Sequence, residues 1–199
     1  MKKFEACAQA IHFLLKSFEE MDKLKIAKLV YLADKYHLIA SRRTITGDNY
    51  LAMRHGPVGN MVLSILNRNT EYLEPAQLDF INQHIQQIEL NRDDYKCTAA
   101  DMDYDQLSES DKKALIKIGN IFGAMDKWDL VNLTHKYPEW VQYERELEED
   151  PSISKSIPLE DMFSKIENDP LGLSAESVKV SRAFFLGLED ELEDDESAD

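Results

Sequence analysis

Only two cysteines, Cys7 and Cys97, occur in the 199 residues. They allow one disulfide at most, and neither has the spacing of a metal ligand set. Cys7 falls on the apolar stripe of the first helical segment, where a thiol serves as core filler. Both thiols are expected to be reduced. No apolar run approaches the roughly 20 residues that cross a bilayer. The N-terminal MKKFEACAQAIHFLLKSFEE begins like a secretory leader, with Lys2 and Lys3 in front. Glu5, His12, Lys16, Glu19 and Glu20 interrupt it at helical spacing, and no small-residue cleavage site succeeds it. It reads as an amphipathic helix of the mature protein, and a cytoplasmic location is expected. Basic residues are scarce, 23 Lys and Arg against 38 Asp and Glu, for a formal net charge of −15. Unselective nucleic-acid binding draws on Lys and Arg replacing counterions, so that balance argues against it. Net acidity confers solubility or offers a surface to a basic protein partner. Internal repeats and Ser/Gly-rich linkers are lacking too, so residues 1–188 are expected to form one domain, its core supplied by a 43% hydrophobic composition. Residues 189–199, EDELEDDESAD, hold eight acidic residues and no basic one. They are expected to be a disordered tail.

What is present is mostly helical periodicity. Phe4, Cys7, Ala8, Ile11, Leu14, Leu15 and Phe18 recur at steps of three and four. Asp22 is a plausible N-cap for a second helix ending near Ser41, apolar on more than one flank and therefore central. Period-two alternation then runs from Tyr50 to His55, and Gly56-Pro57 is expected to end that strand. Pro57 suits the first position of a new helix. Next come a helix opening at Pro75, a strand pair with its turn at Arg92-Asp93, and a helix capped by Ser108 or Ser110. The last of these carries Leu115, Ile118, Ile121 and Phe122 as its buried stripe. Lys127 to Tyr137 reads as helix and ERELEEDPSISKSIP as a polar connector. Two further helical patterns complete the body, PLEDMFSKI and a segment with Val178, Ser181, Phe184, Phe185 and Leu188 on one face. The class is α+β, predominantly α-helical: a multi-helix body with a small antiparallel sheet or hairpin.

Few residues point to chemistry. The histidines form no HExxH motif, and the Asp34/His37 pair is too common a spacing to make a metal site. No G-x-S-x-G, Walker loop or dinucleotide fingerprint occurs. No cofactor is expected. One basic cluster stands out: Arg42, Arg43, Arg54 and His55 bracket the 45–58 corner. Gly56-Pro57-Val58-Gly59 would there turn free N–H groups outward at a helix start. It reads either as a docking point for a carboxylate, a phosphate or an acidic partner loop, or as plain neutralisation of the chain's own carboxylates. Within LTHKYPEW, Pro138 is expected to end a helix and Trp140 to pin that end to the core.

The segment KIAKLVYLADKYHLIASRRTITGDNYLAMRHGPVGNMV, residues 25–62, resembles the signature region of the Panacea antitoxin domain, the SocA-like or phage-associated family. Lys28, Leu29, Tyr31, Ala33 and Asp34 match its helix. Ile45, Thr46, Gly47, Asp48, Tyr50, Ala52, Gly56, Pro57 and Val58 match its turn, alternating strand and G-P-V in order. Thr134, His135, Pro138 and Trp140 match a later T-H-x-x-P-x-W pattern. The resemblance spans about residues 5–145 and implies a helix-rich domain without enzymatic activity that neutralises a cognate protein toxin by direct contact. It also implies, for one relative, delivery of a toxin to an ATP-dependent protease. The expected contact residues are Arg42, Arg43, Asp48, Tyr50, Arg54 and His55. Lys28, Tyr31, Asp34, Gly47, Gly56, Pro57, His135, Pro138 and Trp140 are expected to be structural. Two rival expectations remain: a phage or prophage protein that binds a host factor, and a small hydrolase or nucleotide-processing enzyme at Arg54–His55 using Asp34 or Asp48. The tail would bind a basic toxin, serve as a protease handle, or merely solubilise.

Overall fold

A computed structural model describes residues 2–89 and 92–188. The acidic segment 189–199, expected to be a disordered tail, lies outside the described residues. Helix α1 (Lys2–Phe18) buries the expected stripe, and a short strand β1 (Met21–Asp22) leads into helix α2 (Lys23–Ser41). Asp22 caps α2 as its spacing predicts, its carboxylate accepting from the Leu24 N–H at 2.8 Å. Thirteen residues of α2 are buried, from Ile26 to Ile39, on all its flanks. A helix apolar all round has neighbours all round. It packs against α1, helices α3 (Asn60–Asn67), α5 (Glu109–Phe122) and α6 (Lys127–Thr134), and the C-terminal α9 (Ala175–Leu186). Between these, α4 (Pro75–His84) starts with Pro75 in its first turn, and α7 (Pro138–Val141) and α8 (Glu144–Glu149) are short.

Two three-stranded antiparallel sheets flank this body among the described residues. One orders β1, β5 (Arg92–Cys97) and β4 (Ile85–Glu89). The other orders β3 (Gly56–Gly59), β2 (Tyr50–Met53) and β6 (Lys155–Ile157). The class is the expected one, α+β and mainly helical.

Several local expectations are corrected. Gly56-Pro57 does not open a helix. Met53 pairs with Gly56 across the two-residue loop Arg54-His55, and β3 runs back beside β2 before α3 begins at Asn60. Pro57 is accommodated because β3 is an edge strand, where a missing N–H is tolerated. The polar connector contains both α8 and β6, whose Ile157 pairs with Tyr50. The helix from Lys127 stops at Thr134, and Pro138 begins a new turn that carries Trp140. The 85–97 strand pair forms, with β5 already under way at Arg92 rather than turning there. PLEDMFSKI holds only a 3-10 turn, Leu159–Met162. Ile121 lies exposed, as do Phe184, Phe185 and Leu188, while Val178 and Ser181 of α9 are buried.

Candidate partner-binding site at the hairpin tip

The polar residues of α2 are spaced along a buried helix, and each holds a different distant segment. Lys28 donates from Nζ to the Pro57 carbonyl at 2.8 Å. Tyr31 donates to the Glu139 carboxylate. Asp34 accepts from the backbone N–H groups of Ile45 and Thr46 and from the Thr46 and Tyr50 hydroxyls, at 2.6–3.0 Å. Burial pushes its carboxyl up to about 6 against the pull of these donors. Lys35 donates to Glu139 at 2.7 Å and to the Met162 carbonyl and the Ser164 hydroxyl at 2.9 Å. His37 holds the Arg43 carbonyl with Nδ1. A buried polar group is costly unless its bonds are made, so these pins fix the 43–50 segment, strand β3, Glu139 of α7 and residues 162–164 against one rod.

Asp48 solves a second problem. The first N–H groups of α3 lack partners within the helix. Asp48 accepts from the N–H of Met61 and of Val62, both at 3.0 Å, and from that of Asn49 at 2.7 Å. The helix start that the sequence seemed to offer to an outside anion is thus occupied by the chain's own carboxylate. Gly59 is needed beside it, because a Cβ there would collide with the Asp48 carboxylate.

The two motif-bearing segments meet at the β2–β3 hairpin tip. Trp140 donates from its indole to the Met53 carbonyl at 2.8 Å, and His135 stacks on Trp140 with centroids 3.6 Å apart and planes 5° from parallel. Gly56 has φ +92°, and a Cβ on it would lie 2.6 Å from Lys28 Nζ and 2.8 Å from Thr134 Oγ1. Only glycine meets both demands. Lys28, Arg54, His55 and His135 form a group of bases at this point. Burial, Arg54 and Lys28 together lower the pKa of His55. Burial, Lys28 and His55 lower that of His135 to about 4. Burial alone pushes the Lys28 ammonium well below its ordinary value, with no carboxylate acting on it.

In front of the tip lies a cleft of about 470 Å³. It is lined by Arg54, His55 and Gly56 of the hairpin, Ala27 and Lys28 of α2, and Trp128 of α6. Trp128 is 50% exposed and meets the His55 ring edge-on at 5.5 Å. Asp22 and Asp93 also line the cleft, but each is ion-paired, Asp22 to Lys127 at 2.8 Å and Asp93 to Lys23 at 3.0 Å. A smaller hollow of about 330 Å³ opens on the other side of Arg54, against His135, Trp140, Glu144 and Glu148.

The basic cluster expected around residues 42–55 is therefore divided. Arg42 and Arg43 stand at the C-terminal end of α2, fourteen and fifteen residues beyond Lys28 and thus roughly 21 Å along the rod. Arg42 lies over the Phe184 ring at 3.9 Å. Arg43 pairs with Asp111 at 2.9 Å and donates to the Ser108 hydroxyl. These two neutralise and cover the chain's own groups. Asp48 and Tyr50 are buried. Arg54 and His55 remain exposed at the cleft. Asp34 and Asp48, the carboxylates an enzyme at this corner would have used, do not line it. Among the described residues, no group of three or more His, Cys, Asp or Glu is placed to hold a metal ion, and no helix is long and apolar enough to cross a membrane.

Sequence reasoning did not single out Trp128, Lys35 or Glu139. For Trp128 a signal existed, since it sits two residues before Leu130 and off the apolar face of α6. Glu139, inside PEW, carried none.

Residues 26–141 match the family model for the SocA-like antitoxin Panacea domain. The matched segment starts in α2 and ends with α7, so it takes in the rod, the hairpin and the Trp140 clasp. No curated protein and no solved structure matches the chain.

Proposed function

The chain belongs to the SocA-like antitoxin family of Panacea domains, and from that membership we propose that it neutralises a cognate protein toxin by binding it directly. The observation that carries this reading is where the matched residues act. Lys28, Tyr31, Asp34, Asp48, Gly56 and Trp140 all brace the scaffold, and the exposed residues they hold in place are Arg54 and His55, facing Trp128. Such a frame supports the reading of a presented binding surface. The carboxylates at the cleft are tied to lysines, which supports a binding role over general acid–base work. The cleft, with a half-exposed tryptophan and an arginine at its rim, has the composition of a protein-binding hot spot.

Co-expression with the product of the adjacent open reading frame tests the proposal. The expected result is that the neighbour arrests growth alone and that growth returns when this chain is present, with the two proteins co-purifying. Growth rescue with a falling toxin level would mark delivery to a protease instead of simple occlusion. A harmless neighbour that forms no complex would sink the antitoxin reading and favour a host-binding protein.

A further inference from the structure

The cleft at the hairpin tip has a chemical character that the antitoxin reading does not require. Besides His55, four lysine and arginine residues line it, Lys23, Lys28, Arg54 and Lys127, in a chain whose net charge is −15. Two of them are answered by Asp93 and Asp22. Arg54 and Lys28 have no carboxylate partner among the described residues. Lys28 is 1% exposed and its Nζ donates to the Pro57 carbonyl, so Arg54 is the exposed cation of the two. Glu144 and Glu148, the carboxylates nearest in the adjoining hollow, form no ion pair with Arg54. An exposed guanidinium without a carboxylate partner, at a cleft with a largely apolar lining, is an arrangement completed by an anion. The remaining lining is mainly apolar, Leu24, Ala27, Met53, Val58 and Leu63 beside His55, with the half-exposed Trp128. A volume near 470 Å³ lies within the roughly 300–1,000 Å³ of small-ligand sites.

We propose that this cleft is a binding site for a carboxylate carried on an apolar or aromatic group, with the carboxylate on the Arg54 guanidinium and the apolar part against Trp128. Phosphate-sized anions without an apolar body would leave the Trp128 wall uncovered. The same chemistry is offered by a free organic acid and by the C-terminal carboxylate of a polypeptide, and the two sources differ in what they add beyond the acid.

The chain has two tryptophans, and their indole N–H groups report separately, Trp128 at the cleft and Trp140 at the clasp. The full-length protein is titrated with 3-phenylpropionate and with N-acetyl-glycyl-phenylalanine, following both indole resonances by proton–nitrogen NMR, and then with the amide of each. The expected result is a saturable shift of the Trp128 resonance by an acid, and binding of the corresponding amide at least about tenfold weaker, the loss of a charge-assisted contact. Arg54→Ala, at an exposed position, is expected to weaken the acid by a similar factor while Trp140 keeps its resonance. A tighter peptide acid identifies a chain terminus as the source, and a tighter free acid identifies a small ligand. No saturable shift with either acid, or equal binding of acid and amide, overturns the proposal. The titration uses no toxin, so its failure leaves the antitoxin reading untouched and the converse also holds.

Discussion

Lys35 and Glu139 form an ion pair of 2.7 Å whose two side chains are both fully enclosed, 104 residues apart in the chain. The Tyr31 and Ser164 hydroxyls donate to the same carboxylate, and the Met162 carbonyl takes a further proton of Lys35. Removing one charge leaves the other buried without its counterion. Glu139→Gln is therefore expected to lower unfolding free energy by about 3–5 kcal/mol in urea denaturation. The double variant Lys35→Met/Glu139→Leu removes both charges together and is expected to lose less than Glu139→Gln alone. A double variant that loses more would show that the pair stabilises beyond its desolvation cost.

Asp48 is the surrogate cap of α3. Asp48→Ala leaves the Met61 and Val62 N–H groups without their acceptor, and a loss of about 1–2 kcal/mol is expected in thermal melts. Added phosphate at millimolar concentration is expected to restore part of that loss in Asp48→Ala and none in the parent protein. Equal response of the two would show that the helix start is open to anions as it stands.

The two tryptophans are expected to part company. Trp140 is 3% exposed, bonded to Met53 and stacked on His135, and Trp140→Ala should cost about 3–5 kcal/mol. Trp128 is half in solvent, so Trp128→Ala should change stability by no more than about 0.5 kcal/mol. Calorimetry with the toxin is expected to show the reverse order for partner affinity, Trp128→Ala weakening the complex by about 2 kcal/mol. Full affinity in a folded Trp128→Ala protein would move the interface away from the cleft.

Acid is expected to destabilise the fold through two histidines. His12 and His135 each have a folded-state pKa lowered to about 4 by burial first, then by neighbouring bases. In each ring Nε2 has no hydrogen-bond partner, so a proton added there would have no acceptor. The unfolded chain takes up these protons near pH 6.5 and the folded chain only near 4. Their contribution is complete above about pH 6.5 and declines as pH falls towards 4. It is on the order of 2 kcal/mol per histidine, with solvent screening allowed for at the partly exposed His135. Urea midpoints measured from pH 7 to 4.5 check this, and His12→Gln is expected to flatten the slope.

The long elements could be read from the chain because local chemistry and the core agree there. Asp22 and Ser108 cap the helices their spacing marks, and the α1 stripe is buried as its period requires. Gly56-Pro57 misled because a helix-start signal and an edge-strand position accept the same proline; what decides is the pairing of Met53 with Gly56 across the loop. Strand β6 was invisible for a related reason. Its Lys155, Ser156 and Ile157 lie in a charged stretch, and only the open edge of β2 gives them strand geometry. The basic cluster failed as a cluster because Arg43 stands past the C-terminal end of α2 and Arg54 at the β2–β3 hairpin tip, while Lys28 and His135, far apart in sequence, share that tip.

The side chains of α2 tie down segments drawn from nearly the whole chain, from Ile45 to Ser164, with Ile39 also receiving the Ser181 hydroxyl. A loop fastened this way has no independent opening of its own. In native-state hydrogen exchange the Ile45 and Thr46 amides, though they belong to no helix or strand, should resist solvent as long as the middle of α2 does. The connecting segments of this protein would then melt as one cooperative unit with its central helix.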